Sequence, residues 1–247
     1  MTIESEHQLD RLKEIGSVVR SALDAMSREV RPGITTAELD AIGARILERA
    51  GARSAPAVEY GFPASICISV NDQVVHGLPG DRKVARGDLV KLDVTAEKGG
   101  YLADAAITVS VPPVDPEHLR LAACAERAFR RAMGVARAGQ AIRRIGRAVE
   151  QEVRRSGFSV IKELSGHGIG RAIHEPPSVP NYHARHLRQK LHPGLVITVE
   201  PTVSMGSGKI VEDRDGWTIR TADGAMASHH EHTLVITRGA PILLTAA

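Results

Sequence analysis

The stretch KLDVTAEKGGYLADAAITV, residues 91–109, places two acids in what otherwise reads as a pair of β-strands. Apolar residues alternate through LVKLDV, as they do on a strand with one buried face. Asp93 lies inside the first run and Asp104 inside the second. A tight turn at Lys98-Gly99 would join the two runs, because glycine supplies the positive φ that two-residue hairpin turns require. This turn predicts that Asp93 and Asp104 are direct cross-strand neighbours on one face of a sheet.

Two neighbouring carboxylates on a sheet need an explanation, because like charges directly opposite each other destabilise strand pairing. The pair is tolerated if both side chains face solvent, if they share a proton, or if cations lie between them. The hairpin alone leaves these three interpretations open. Candidate ligands elsewhere in the chain favour the third.

Further acids and imidazoles follow in loops and at strand ends. His167 and His174 lie in the glycine- and proline-rich segment SGHGIGRAIHEPP, Glu200 follows the apolar run LVITV, and Glu231 opens the last predicted strand. Two aspartates, two glutamates and a histidine form an oxygen-rich set that suits two divalent ions of Mn, Fe, Co or Zn. A zincin site is excluded, because the chain has no H-E-x-x-H motif.

Two more histidines, His229 and His230, stand directly before Glu231 in SHHEHTLVIT. Adjacent residues of a strand point to opposite faces, so consecutive residues cannot all converge on one ion. We therefore expect His229 and His230 to be exposed to solvent rather than to belong to the site.

The composition is that of an ordinary globular protein: 247 residues, 43% hydrophobic and 25% charged. The net charge of +3 suits an anionic surface but does not require DNA as a partner. Cys67 and Cys124 are the only cysteines, too few and too far apart for a disulfide framework. The polar start MTIESEHQLD is no signal peptide, and no apolar run is long enough to span a membrane. These features predict a cytoplasmic protein without a membrane partner.

The pattern along the chain predicts helices and strands in an α+β arrangement. Apolar residues at helical spacing predict four helices, over 6–30, about 37–50, about 117–136 and about 141–155. Residues 30–51 overlay residues 136–157, with arginine and glycine matched near both ends. Each of these stretches follows one helix and precedes strands, which favours two related halves packed as one body. Chance similarity between two amphipathic helices is the alternative.

Five motifs together resemble one known family. In chain order they are VVHGLP, LDVTAEKGGYLADAAITV, GHGIGRAIHEPP, ITVEPTV and DGWTIRTADGAMASHHEHTLVIT. Their order and spacing resemble the type I methionine aminopeptidases, which are pita-bread metallopeptidases, over about residues 9–243. The resemblance implies an α+β pita-bread fold with two pseudo-symmetric halves and a curved antiparallel sheet covered by two helix pairs. It also implies a single catalytic domain over 1–247, with halves of about 1–112 and 113–247.

The resemblance assigns the metal ligands position by position. Asp93 would chelate one ion, and Asp104 and Glu231 would bridge both ions. His167 and Glu200 would bind the second ion. Two divalent ions, Co, Mn, Fe or Zn, are therefore the expected cofactors.

The resemblance also assigns catalytic and substrate-binding residues. His76 of VVHGLP would hydrogen-bond the scissile amide, and His174 would contact the substrate carbonyl or the tetrahedral intermediate. Glu200 would also shuttle the proton of the attacking water. The pocket for the methionine side chain would be lined by Phe62, Cys67 and Trp217.

Some positions depart from the family pattern or carry less specific assignments. Ala103 replaces a common glycine before the bridging aspartate, Tyr60 replaces a common histidine, and Ala172-Ile173 replaces a common Gly-Phe. The departures at Tyr60 and Ala172-Ile173 affect the expected size of the methionine pocket and the expected rate of catalysis. They do not affect the expected metal binding. Asn71 lies where the loop that binds an additional monovalent cation begins in the family, so a monovalent cation is expected near it.

The implied activity is removal of the initiator methionine from nascent proteins with a small second residue, by attack of a hydroxide that bridges two metal ions. The expected partners are nascent polypeptide N-termini and, transiently, the ribosome, and the enzyme is expected to be a monomer. One alternative is an Xaa-Pro-type aminopeptidase on the same fold. Another is a non-catalytic binding paralogue, which would usually have lost ligands.

Overall fold

The computed structural model describes residues 1–246, which form an α+β protein. The helices are α1 (Glu6–Glu29), α2 (Thr36–Arg49), α3 (Ala55–Tyr60), α4 (Pro116–Met133) and α5 (Arg143–Arg155). The strands of the first half are β1 (Arg53–Ser54), β2 (Cys67–Val70), β3 (Gln73–Val75), β4 (Leu89–Lys98) and β5 (Tyr101–Ser110). The remaining strands are β6 (Ser159–Val160), β7 (Ser165–Gly168), β8 (Glu175–Pro180), β9 (Val196–Val199), β10 (Thr202–Ser204), β11 (Ile210–Glu212), β12 (Ile219–Thr221), β13 (Ala227–His229), β14 (Glu231–Val235) and β15 (Ile242–Leu243).

The four predicted helices are present, with ends that local chemistry explains. A capping box starts α2: the Thr35 hydroxyl accepts from the Glu38 N–H, and the Glu38 carboxylate accepts from the Thr35 N–H. The short helix α3 was not predicted, because six residues are too few to show a helical period. It begins where the Ser54 hydroxyl accepts from the Ala57 N–H, and it ends at Gly61, whose φ of 71° is left-handed.

A nine-stranded sheet forms the centre of the protein. Its main path runs β1-β4-β5-β14-β9-β7-β8, with β2 also paired to β4 and β15 to β14, and every pairing is antiparallel. The helix pair α1 and α2 packs on one apolar cluster and the pair α4 and α5 on another. Both clusters include residues of the sheet, so each helix pair covers part of it. Among residues 1–246, no helix is long and apolar enough to cross a bilayer.

The β4–β5 hairpin turns one residue later than predicted. Gly99 and Gly100 form the loop with φ values of 59° and 78°, so Lys98 pairs with Tyr101. Asp93 therefore faces Ala106 rather than Asp104, and the predicted direct pairing of the two acids was wrong. The pairing changes by two residues, and side chains alternate with a period of two. Asp93 and Asp104 consequently remain on one face of the sheet as diagonal neighbours.

The two halves repeat local structure at their helix pairs. The N–H of Ala50, after α2, contacts the carbonyls of the three residues 46–48, and the N–H of Ser156, after α5, contacts the carbonyls of 152–154. Gly51 and Gly157 follow with φ values of 66° and 84°. The strands β1 and β6 then start at equivalent positions. The pseudo-symmetric fold is as predicted, while the boundary between the halves near residue 112 stays a prediction.

Candidate functional site

Five adjacent strands each contribute one residue to the candidate metal centre. In sheet order, Asp93 comes from β4, Asp104 from β5, Glu231 from β14, Glu200 from the residue after β9, and His167 from β7. All five line one cavity of about 590 Å³. The antiparallel sheet thus gathers residues that are far apart in sequence onto one concave surface.

The donor atoms of this group lie close together. One ligand atom from each of Asp104, His167 and Glu231 lies within 4.8 Å of the others. The Nε2 atom of His167 lies 3.5 Å from Oε1 of Glu200. Oδ1 of Asp104 and Oε1 of Glu231 are buried without a hydrogen-bond partner among residues 1–246. Because buried polar atoms are nearly always satisfied, these two oxygens fit a role as cation ligands.

The glycines on either side of His167 explain how its ring is aimed. β7 carries a register shift between Gly166 and Gly168 where it pairs with β8, a bulge of the kind that redirects a side chain. A Cβ on Gly166 would lie 2.5 Å from the carbonyl oxygen of Thr198, and one on Gly168 would lie 2.3 Å from that of Pro176. Nδ1 of His167 lies 2.9 Å from the Gly168 carbonyl and donates to it, since that oxygen can only accept. Nε2 is then left unprotonated and available to a metal.

The carboxylates repel one another in a buried setting. Burial raises the pKa of Asp104 to about 6. Burial, reinforced by the charge of Asp104, raises the pKa values of Asp93, Glu200 and Glu231 well above their usual range. Such a cluster is stable only when protons or cations neutralise it. The oxygen-rich donors, the free imidazole nitrogen and the unpartnered oxygens together fit divalent metal ions.

Two further histidines, His76 and His174, face the same cavity. His76 follows β3 with a φ of 56°, a left-handed conformation that is costly outside glycine. The ring of His174 lies 4.3 Å from that of His167, centroid to centroid. The Nδ1 atom of His174 lies 2.7 Å from the Tyr60 hydroxyl. Burial lowers the pKa of both His76 and His174, which favours neutral imidazoles.

An apolar end of the cavity lies beside the acids. Phe62, Cys67 and Trp217 line it, with the Phe62 and Trp217 rings edge to face at 5.2 Å. Cys67 pairs with Asp93 between β2 and β4, so the pocket is continuous with the acid cluster. Burial raises the pKa of the Cys67 thiol, which keeps it protonated and apolar in character.

The prediction that His229 and His230 are exposed was wrong. His229 is 2% exposed and lines the cavity, with Nε2 3.6 Å from Oε2 of Glu231. Neither ring nitrogen of His229 has a hydrogen-bond partner, and burial lowers its pKa to about 3. His230 is half-buried with its ring 5.2 Å from that of Phe129. The alternation used to dismiss the pair also puts residue 229 on the same face as Glu231, so sequence reasoning had the signal that was needed.

The chain is similar to known proteins in both sequence and fold. The pattern of metallopeptidase family M24 matches residues 10–238. Methionine aminopeptidase 2 of Bacillus subtilis is 44% identical over 247 residues, covering 99% of each chain. The crystal structure of methionine aminopeptidase from Thermotoga maritima superimposes with a TM-score of 0.96 at 32% identity, covering 100% of both chains. A prolidase from Pyrococcus furiosus shares the fold, with a TM-score of 0.80 at 21% identity, and the match covers 66% of that chain.

Proposed function

The chain belongs to metallopeptidase family M24, and from this premise we propose that it is a methionine aminopeptidase that acts on peptides with a small second residue. One observation carries the proposal. Four acids and an imidazole from five adjacent strands line one cavity with the apolar end formed by Phe62, Cys67 and Trp217. A thioether packs well against aromatic rings and sulfur, so this end suits a methionine side chain next to the metal ligands.

We propose metal roles for the five ligands. Asp93 would hold one ion, Asp104 and Glu231 would hold both, and His167 and Glu200 would hold the other. Bound as a pair, divalent ions of the Mn, Fe, Co or Zn type supply Lewis acidity toward a carbonyl and a water nucleophile of lowered pKa. The buried unpartnered oxygens of Asp104 and Glu231 support their bridging assignment.

The protein's own groups would manage protons and orientation. Glu200 would take the proton of the attacking water, and the Thr198 hydroxyl, which donates to its Oε1 at 2.9 Å, would fix its carboxylate. His174 would donate to the substrate carbonyl oxygen as negative charge develops there. His76, held in its strained conformation, would donate to the scissile amide. Phe62 and Trp217 would position the methionine side chain.

Tyr60 provides a test of the role given to His174. A hydroxyl that donates to Nδ1 of His174 leaves the proton on Nε2, the form able to donate to a carbonyl. Tyr60→Phe is expected to lower kcat roughly 2- to 10-fold, the equivalent of one hydrogen bond of ~0.5–1.5 kcal/mol. Steady-state kinetics on Met-Ala-Ser should show a nearly unchanged KM, and metal content should be unchanged.

Tyr182→Phe is the control, because Tyr182 packs with the α4 and α5 cluster away from the cavity. It should leave kcat and the pH profile unaltered. Equal kcat values and identical pH profiles for Tyr60→Phe and the unmodified enzyme would contradict a positioning role for Tyr60.

The direct test of the proposed activity is methionine release from Met-Ala-Ser, with Ala-Pro-Ala alongside. The protein is first chelated, and Mn, Fe, Co or Zn is then added back singly. Metal-dependent release from Met-Ala-Ser alone is the expected result. Cleavage of Ala-Pro-Ala instead would indicate an Xaa-Pro-type enzyme. Bound metal without cleavage of either peptide would reject the proposed substrate and support a binding role.

We further propose that the physiological substrates are nascent polypeptide N-termini in the cytoplasm, met by a monomeric enzyme. The net charge of +3 favours transient contact with the anionic ribosome surface. Sedimentation with ribosomes across a salt series tests this contact, since such binding weakens as salt rises. Absence of association even at low salt would refute it.

A further inference from the structure

Lys91 on β4 is an unusual core residue, because its side chain is only 1% exposed. It lies two residues before Asp93, on the same face of the strand. A buried lysine is costly unless its nitrogen is fully hydrogen-bonded. The partners of Lys91 therefore indicate why the residue is present.

The amine of Lys91 contacts two backbone carbonyl oxygens. Nζ lies 2.6 Å from the oxygen of Asn71 and 3.2 Å from that of Ala227. Asn71 forms the turn between β2 and β3, and Ala227 begins β13. Carbonyl oxygens that converge in a buried place are also the ligands that replace water around a monovalent cation. The resemblance described above implied a monovalent cation at this same turn.

The backbone carbonyl of Asn71 has no capacity left for such an ion. Its carbonyl accepts from Lys91 Nζ and, at 3.1 Å, from the N–H of Ala227, which uses both lone pairs. Its side-chain oxygen accepts from the N–H of Leu89 at 2.9 Å, and its side-chain nitrogen donates to Asp88 at 2.9 Å. A monovalent cation on the Asn71 carbonyl therefore does not fit the residues present.

We propose that the Lys91 amine takes the place of a monovalent cation, so that this protein needs neither potassium nor sodium to hold the Asn71 turn. The amine is attached to the strand that carries Asp93. It ties that strand to the turn that leads into His76 and to the segment that leads into Glu231. A permanent covalently attached donor replaces an exchangeable ion.

The bonds of Lys91 do not depend on its charge. Burial lowers its pKa to about 7, and the carboxylates of Asp72 and Asp88 oppose that shift. Ammonium and neutral amine both carry N–H donors, so either form satisfies the two carbonyls. The proposed role of Lys91 can be tested whether or not the proposed peptide substrate is correct, because thermal unfolding reports on this role directly.

The test compares thermal unfolding in choline chloride with unfolding in KCl or NaCl at constant ionic strength. The metal-loaded unmodified protein should show the same Tm in all three salts, within ~1 °C. Lys91→Ala opens a space lined by the two carbonyls. Its Tm should be lowered in choline chloride and should rise saturably with K⁺ or Na⁺, by roughly 5–10 °C at 100 times the dissociation constant.

Lys13→Ala is the matched control, since Lys13 is an exposed lysine on α1. It should be insensitive to the choice of cation. A saturable increase in the Tm of the unmodified protein with K⁺ or Na⁺ would overturn the proposal, as would a Lys91→Ala Tm that ignores the cation. If Lys91→Ala does not fold, ²³Na relaxation on the unmodified protein decides: saturable sodium binding displaced by potassium refutes the proposal, and no binding supports it.

Discussion

Asp104→Asn is expected to reduce kcat/KM for Met-Ala-Ser by more than roughly 10³-fold and to remove tight metal binding. Loss of a residue that merely supports a ligand already costs about 10- to 100-fold, so loss of a ligand placed between two ions should cost more. Asp104 comes within 4.8 Å of both His167 and Glu231, and its Oδ1 has no other partner. An amide is a neutral and weaker donor than a carboxylate. Metal titration by calorimetry and steady-state kinetics on the same preparation measure both effects.

The chelated Asp104→Asn protein should be at least as stable as chelated unmodified protein, because one charge is removed from a repelling cluster. Asp40→Asn is a useful control. Asp40 is a structural acid that accepts from the N–H groups of Ser65 and Ile66, so its variant should lose stability yet still bind metal. Tight metal binding and rapid turnover by Asp104→Asn would contradict the assigned centre.

The second large effect concerns metal removal. At a metal concentration 100 times the dissociation constant, each bound ion should contribute ~2.7 kcal/mol, and removal of even one ion should therefore lower Tm by roughly 5–10 °C in a chain of this size. The difference between loaded and chelated Tm should grow as pH rises from 6.5 to 8.5. Differential scanning calorimetry at several pH values measures this difference.

The growth of this Tm difference with pH is a consequence of the raised pKa values of the clustered acids. The pKa values of Asp93, Glu200 and Glu231 are raised above their unfolded values by burial first and then by charge. Protons on such groups stabilise the folded chelated protein at low pH, and this stabilisation is lost as pH rises through the folded pKa. Each proton lost costs ~1.4 kcal/mol per pH unit, whereas metal ions neutralise the same oxygens.

Other titrating groups contribute little to that difference. Above pH 6.5 the buried His167 and His229 are neutral in the folded protein, since burial lowers their pKa values to about 4 and about 3. Lys91 opposes the trend, because its lowered pKa makes the folded state more stable as pH rises above about 7. That contribution is common to both samples and cancels. A loaded-minus-chelated difference that shrinks with rising pH would contradict this account of the cluster.

Much of the fold and site could be predicted because alternation along a strand is a strong local signal. It placed Asp93 and Asp104 on one face even though the turn was assigned one residue too early. The turn itself was ambiguous, because Gly99 and Gly100 both accept positive φ and only the pairing of the whole hairpin selects between them. The predicted face of the two acids was therefore correct, whereas their predicted cross-strand partners were wrong.

The remaining differences arise from tertiary contacts that a local pattern does not contain. Alternation already put His229 on the face of Glu231, but its near-complete burial depends on how β13 packs beside the cavity. The cation expected at Asn71 was implied by the family resemblance alone, without knowledge of the contacts around the turn. Its replacement by Lys91 becomes visible only when β4, the turn and β13 are brought together.

The order of the strands has a consequence for synthesis. Residues 93 and 104 leave the ribosome early, whereas β14, which separates β5 from β9 in the sheet, is made more than a hundred residues later. Translation adds about 5–20 residues per second, so the first two acids wait many seconds for their neighbours. Contacts of such long sequence separation form slowly. A growing chain therefore lacks the complete set of proposed metal ligands until β14 has been made and inserted. Under the proposed mechanism it cannot process its own N-terminus in cis while it is still short.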